Sequence, residues 1–209
     1  MKQTILIYAA VAGIFFWFFA GILPAGAKET RILFLGDSIT AGLGVEKEAA
    51  FPAVVGRMLK QLGIDNVTVI NAGISGSTTA SGPSRLKWHF KTNPHVLVLA
   101  LGANDGLRGL SLENMAENLD DTIALALDNN LCVILAGMEI PPNYGPEYTG
   151  QFRQTFQDLA SKYQIALIPF LLDQVGGVAD MNQTDGVHPN PAGHRQIAAT
   201  VLPYIKECL

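Results

Sequence analysis

Three residue types that together can cleave an acyl bond stand at loop positions of this 209-residue chain: a serine in Gly36-Asp37-Ser38, a histidine at 188, and an aspartate at 185. A hydroxyl is a weak nucleophile. It needs an adjacent base, and the base needs a carboxylate that fixes its orientation and tautomer. The stretch RILFLGDSITAGLG begins as a buried strand would and breaks off into Gly-Asp-Ser. That break puts Ser38 where a strand turns into a short helix, with its hydroxyl at the rim and backbone N–H groups facing outward. Taken alone, the tripeptide has a simpler reading, in which Ser38 merely caps the helix.

The chain has four histidines. His95 precedes an apolar run and so belongs at the opposite end of a sheet from Ser38, and His89 and His194 fall inside helical stretches, where a packed or solvated imidazole is the default. His188 differs, because it immediately precedes PNPAGHRQIAATVL, with Asn190 placed to cap a helix and Pro191 at its first position. Helices that follow strands begin at the strand carboxyl ends, so His188 shares the rim with Ser38. Asp185, separated from His188 by Gly186 and Val187, can then accept a hydrogen bond from one imidazole nitrogen while the other faces Ser38. The competing reading is an Asp-Gly turn followed by a structural histidine.

Acyl transfer also needs donors for the developing oxyanion. The candidates are the Ser38 N–H, the Gly76 N–H and the Asn104 side-chain amide. Gly76 lacks a Cβ, so its backbone can approach a reacting carbonyl, and Ser77 and Thr78 after it are expected to open a helix.

The elements that would bring these residues together are legible as alternating patterns. Apolar runs suited to strands buried on both faces occur at 31–36, 67–71, 96–102, 132–137 and 165–170. Between and after them lie helical stretches at 50–62, 77–91, 111–129, 148–163 and 191–206. The pattern predicts an α/β fold, a single-domain three-layer α/β/α arrangement on a five-stranded parallel sheet of flavodoxin-like type. Ligands bind such sheets beyond the strand carboxyl ends, and the singled-out residues all follow strands. Apolar residues after the third and fourth runs, Leu107, Leu110, Ile140, Pro141 and Pro142, are the candidate substrate-binding set. They suit an acyl chain better than a sugar, although rim packing would explain them equally.

Residues 1–27 carry one charge, Lys2, an apolar run from Ile5 to Leu23 and the triplet Ala25-Gly26-Ala27, the pattern of a secretory signal peptide. An uncleaved anchor is the alternative, because the apolar run approaches the ~20 residues that span a bilayer. The folded part, 28–209, is expected to be exported, periplasmic or secreted, with membrane proximity through residues 5–23 if the segment is retained. Removing Lys2 from the 14 basic residues leaves 13 against 18 acidic ones, a net charge of −5 that disfavours nucleic acid as a partner. Export permits a disulfide, but the simpler expectation is a buried thiol at Cys132 and a terminal one at Cys208.

Together, Gly36-Asp37-Ser38-Ile39, Gly76 in NAGISG, Gly102-Ala103-Asn104-Asp105 and Asp185-x-x-His188 resemble the SGNH hydrolases, the GDSL-type esterase and lipase family. GANDGLRGL, PPNYGPEY and DGVHPN are similar to the branch of exported acyl-thioesterases, lysophospholipases and arylesterases. The resemblance implies Ser38 as nucleophile, His188 as general base and acid, Asp185 as its orienting carboxylate, and an oxyanion hole from Ser38, Gly76 and Asn104. It also implies that 106–111 is a mobile segment closing over acyl chains. The expected reaction is hydrolysis of small-molecule or lipid acyl esters by a monomer that uses no cofactor and no metal. Asp37 and Asp105 are expected to brace their loops rather than hold a metal for phosphoester chemistry. A carbohydrate O-deacetylase and a non-catalytic flavodoxin-like ligand-binding module remain open alternatives, the latter without a G-x-G-x-x-G or G-x-x-x-x-G-K-[ST] loop.

Overall fold

The computed structural model describes residues 29–209, so the expected leader or anchor lies outside the described residues. In chain order the elements are β1 (Thr30–Gly36), α1 (Ser38–Ala41), α2 (Phe51–Gln61), β2 (Val67–Gly73), α3 (Gly82–His89), β3 (Val96–Ala100), α4 (Ala103–Leu107), α5 (Leu112–Asp128), β4 (Cys132–Ala136), α6 (Pro146–Tyr163), β5 (Ala166–Ile168) and α7 (Pro191–Glu207). No helix among the described residues is long and apolar enough to cross a membrane.

The apolar runs become strands because both faces of the sheet are covered. All five residues of β3 are buried, and so is β1 from Ile32 onward. Every strand pair is parallel, in the order β2-β1-β3-β4-β5. Helix α2 packs with α7, while α3, α5 and α6 pack in succession, so two helical layers sandwich the sheet. The order reverses between β1 and β3, the crevice where such sheets take ligands. Gly36 of β1 lies in register with Gly73 of β2 and Ala100 of β3, so the three loops that carry Ser38, Gly76 and Asn104 leave the sheet at one level.

Two local expectations are corrected. The stretch after Gly76 does not open a helix at Ser77 and Thr78; a single 3-10 turn, Thr79–Ser81, precedes α3. The buried Asp105 carboxylate takes both the N–H of Thr79, at 3.0 Å, and its hydroxyl, at 2.7 Å, holding the segment against β3's loop until Pro83 can start the helix. Cys132 and Cys208 are not separate thiols but a disulfide, because α7 returns its C-terminal end to the start of β4, with Cα atoms 5.9 Å apart.

That crosslink closes a loop across a sequence separation of 76 residues. In the chain-entropy account, such a loop restricts the unfolded chain by roughly 4–5 kcal/mol. The double variant Cys132→Ser with Cys208→Ser is therefore expected to lose about 4 kcal/mol in urea unfolding while keeping kcat, since Cys132 begins its strand at the end of the sheet away from Ser38. An unchanged urea midpoint would mean the bridge adds nothing to stability.

Candidate active site

Asp37, not Ser38, caps α1: its carboxylate accepts the Ile39 N–H at 3.0 Å. This leaves Ser38 as the first helical residue, half-buried, with its hydroxyl free for another partner. That partner is His188, whose Nε2 lies 3.0 Å from the Ser38 Oγ. On the far side of the ring, Nδ1 lies 2.6 Å from Oδ2 of Asp185. The other carboxylate oxygen, Oδ1, accepts the backbone N–H groups of Val187 and His188 at 2.9 and 3.0 Å. Asp185 thus builds the turn and orients the ring at once. The backbone N–H of His188, its imidazole and the Val187 N–H together pull the Asp185 carboxyl down to about 2.

The loop around His188 is held from both sides. The Gln183 N–H donates to the His188 carbonyl at 2.8 Å, and the Asn190 side chain accepts the N–H groups of Ala192 and Gly193, capping α7 as its position in the sequence predicts. Asn182 donates to the carbonyls of Val175 and Val178, tying this turn to an earlier part of the same β5–α7 connection.

The three expected oxyanion donors lie on the segments that follow β1, β2 and β3. The Ser38 and Gly76 N–H groups are matched to no acceptor among the described residues. Gly76 sits at φ +78°, left-handed backbone that a residue with a side chain adopts only with strain. Asn104, second residue of α4, spends one amide N–H on Oδ2 of Asp37 at 3.3 Å and keeps the other. Burial pushes the Asp37 carboxyl up to about 6, against the opposing pull of the Ile39 N–H and of nearby His188. Asp37 and Asp105 both brace loops, the first at the start of α1 and the second at Thr79.

Sequence reasoning passed over Arg108, whose Nη2 donates to the Gly76 carbonyl at 3.0 Å and reaches Oδ1 of Asn104 at 3.4 Å. Its signal was available: one helical turn separates Asn104 from Arg108, the spacing at which side chains meet.

A cavity of about 400 Å³ opens beside these groups. Its lining includes Ile39, Ala103 and Val187, the neighbours in sequence of Ser38, Asn104 and His188, and continues through Met138, Phe170 and Leu172. Of the five apolar candidates, Leu107, Ile140, Pro141 and Pro142 line it; Leu110 stands outside it, 42% exposed. A larger, open hollow of about 780 Å³ lies between β5 and α7 and contains none of the residues singled out for chemistry.

Within the segment 106–111 the two glycines have different surroundings. Gly109 has the positive φ of +60° and open space that a hinge would use. Gly106 is instead a packing residue, because a Cβ there would come within 2.6 Å of Phe152 and 2.7 Å of Ile140. The segment is also tied down: the Tyr144 hydroxyl donates to the Leu107 carbonyl at 2.7 Å and the Tyr148 hydroxyl to that of Leu110 at 2.9 Å.

Two of the remaining histidines, His95 and His194, serve the scaffold. Nδ1 of His95 accepts the Arg31 N–H at the start of β1. His194 is fully buried, stacks on Phe51 and accepts its N–H at 3.2 Å, and burial drives its imidazole down to about 4.

Comparison with known proteins gives a consistent picture. A model of the GDSL-like lipase/acylhydrolase family matches residues 34–196. Esterase TesA of Pseudomonas aeruginosa is 37% identical over 189 residues, 90% of this chain and 94% of that protein. The thioesterase 1/protease 1/lysophospholipase L1 of Escherichia coli K12 is 34% identical over 167 residues, 79% of this chain and 78% of its own. A crystal structure of TesA superposes with a TM-score of 0.82 at 38% identity, covering 86% of this chain and all of that one.

Proposed function

Since the chain belongs to the GDSL-like lipase/acylhydrolase family and is a serine esterase, we propose that Ser38, His188 and Asp185 carry out its hydrolysis of carboxylic esters, and of acyl thioesters or lysophospholipids, through an acyl-serine intermediate. The observation that supports these roles is the unbroken relay from the Ser38 Oγ through both imidazole nitrogens to Asp185. As the Ser38 oxygen attacks the substrate carbonyl carbon, His188 Nε2 takes the hydroxyl proton. The carbonyl oxygen gains negative charge facing the Ser38 N–H, the Gly76 N–H and the free Asn104 N–H, which bind it better than the neutral ground state. Collapse breaks the bond to the leaving alcohol or thiol, which receives the proton from Nε2. Water, deprotonated by the same nitrogen, then releases the acid and restores Ser38. Asp185 stabilises the imidazolium in both halves.

A serine-directed organophosphonate tests this reading. One adduct per chain, mapped to the peptide containing Ser38, with parallel loss of p-nitrophenyl acetate hydrolysis, is expected. Modification elsewhere would remove Ser38 from the mechanism. Paired oxygen esters and thioesters of equal acyl length then read the leaving-group preference directly. The Cys132–Cys208 bridge supports an exported location, where a disulfide persists.

The apolar cavity fits an acyl chain, and Leu107 lines it whereas Leu110 does not. Each methylene buried is worth about 0.8 kcal/mol, so loss of contacts to two of them costs roughly tenfold. Leu107→Ala is therefore expected to lower kcat/KM about tenfold for octanoyl and longer esters and to leave acetyl esters within about twofold, while Leu110→Ala leaves the chain-length profile unchanged. A uniform loss across chain lengths in Leu107→Ala would make that side chain scaffold instead of substrate contact.

A further inference from the structure

We propose that Arg108 is a positioning residue which, opposite Asp37, fixes the direction in which the Asn104 amide faces. The inference rests on the oxyanion role given to Asn104. A side-chain amide is nearly symmetric in shape, so rotation by half a turn exchanges its oxygen and its NH2 with little steric consequence. Only its neighbours can choose between the two orientations. Here they do so by charge: the Asp37 carboxylate, an acceptor, stands 3.3 Å from Nδ2, and the Arg108 guanidinium, a donor without acceptors, stands 3.4 Å from Oδ1. Turning the amide over would set oxygen against carboxylate and NH2 against guanidinium. Both separations are long for hydrogen bonds, so the selection is electrostatic more than directional.

The same guanidinium nitrogen donates to the Gly76 carbonyl at 3.0 Å. It thereby holds the Gly76–Ser77 peptide, next to the Gly76 N–H, at a glycine that adopts φ +78° and has no side chain of its own to restrain it. One cation, just past the end of α4, bridges the segments that follow β2 and β3, each of which supplies an oxyanion donor. Arg108 is itself exposed and contributes little to the core, so its removal leaves the fold in place and frees the amide to sample both orientations.

A double-mutant cycle measured with an acetyl ester at pH 8, above the titration of Asp37 near 6, tests this. Arg108→Ala is expected to lower kcat about tenfold, with KM within about twofold. Arg108→Met, which keeps an apolar stem without a donor, should do the same, and the melting temperature of both should match wild type. Asn104→Ala should lower kcat by roughly 10²–10³-fold. In that background Arg108→Ala should cost less than about threefold more, the part it exerts through the Gly76 carbonyl, because the amide through which it chiefly acts is gone. A repeated tenfold loss in the Asn104→Ala background, or a change confined to KM, overturns the positioning role while leaving the oxyanion role standing. An unchanged kcat in Asn104→Ala alone overturns the oxyanion role, and this inference falls with it.

Discussion

Ser38→Ala should lower ester hydrolysis by roughly 10⁴–10⁶-fold, the range seen when the nucleophile of an acyl-transfer relay is removed. The variant should nonetheless fold as wild type does. The reason is local: the helix cap that a serine at this position would ordinarily supply belongs to Asp37, whose carboxylate takes the Ile39 N–H. Alanine at the first helical position therefore forfeits no capping bond, and the hydroxyl it removes is half-buried at the rim rather than packed in the core. His188 loses one contact at Nε2 but keeps Asp185 and the backbone bonds of its turn. Intact-mass measurement after phosphonate treatment should find one adduct on wild type and none on the variant. Substantial turnover by Ser38→Ala, with its melting temperature intact, would show that water is activated directly and that the acyl-serine step is absent.

The sheet was legible in the sequence because parallel strands buried on both faces must be apolar throughout, and RILFLG and VLVLA have no other economical use. His188 was legible by elimination, since of four histidines it alone precedes a helix on the rim. What escaped notice depends on contacts between residues distant in the chain. Gly106 and Gly109 are the same letter, yet one is glycine because Phe152 and Ile140 press on its Cα and the other because its backbone turns left-handed. Local pattern cannot separate those two causes. The 3-10 turn at Thr79 likewise follows from Asp105 reaching across from the next loop, and the Cys132–Cys208 bridge follows from where α7 ends. Arg108 was the exception, readable from its spacing to Asn104, but a lone arginine in a loop carries no mark of what it holds.

Asp185→Asn is expected to be nearly as damaging as loss of the nucleophile, by roughly 10³–10⁴-fold in kcat, although it changes one atom. The two carboxylate oxygens have different duties. Oδ1 accepts two backbone N–H groups, and Oδ2 accepts from Nδ1 of His188. An asparagine has a single oxygen, and the two N–H donors of the turn hold it, since an NH2 placed there would face donors with a donor. The amide nitrogen is then left against Nδ1, which must become an acceptor, and the ring proton moves to Nε2. In that tautomer Nε2 cannot take the proton of Ser38. Because the wild-type carboxyl is drawn down to about 2, it stays ionised throughout the pH range of an esterase assay, so its own titration does not set the acid limb of the wild-type profile. Imidazole ¹⁵N shifts check the argument independently of rate: the proton should reside on Nδ1 in wild type and on Nε2 in the variant at pH 8. If Asp185→Asn retains more than about a tenth of wild-type kcat with its proton still on Nδ1, the carboxylate does not govern the ring. The Asp-Gly turn before His188 would then be a structural turn, as the sequence alone equally allows.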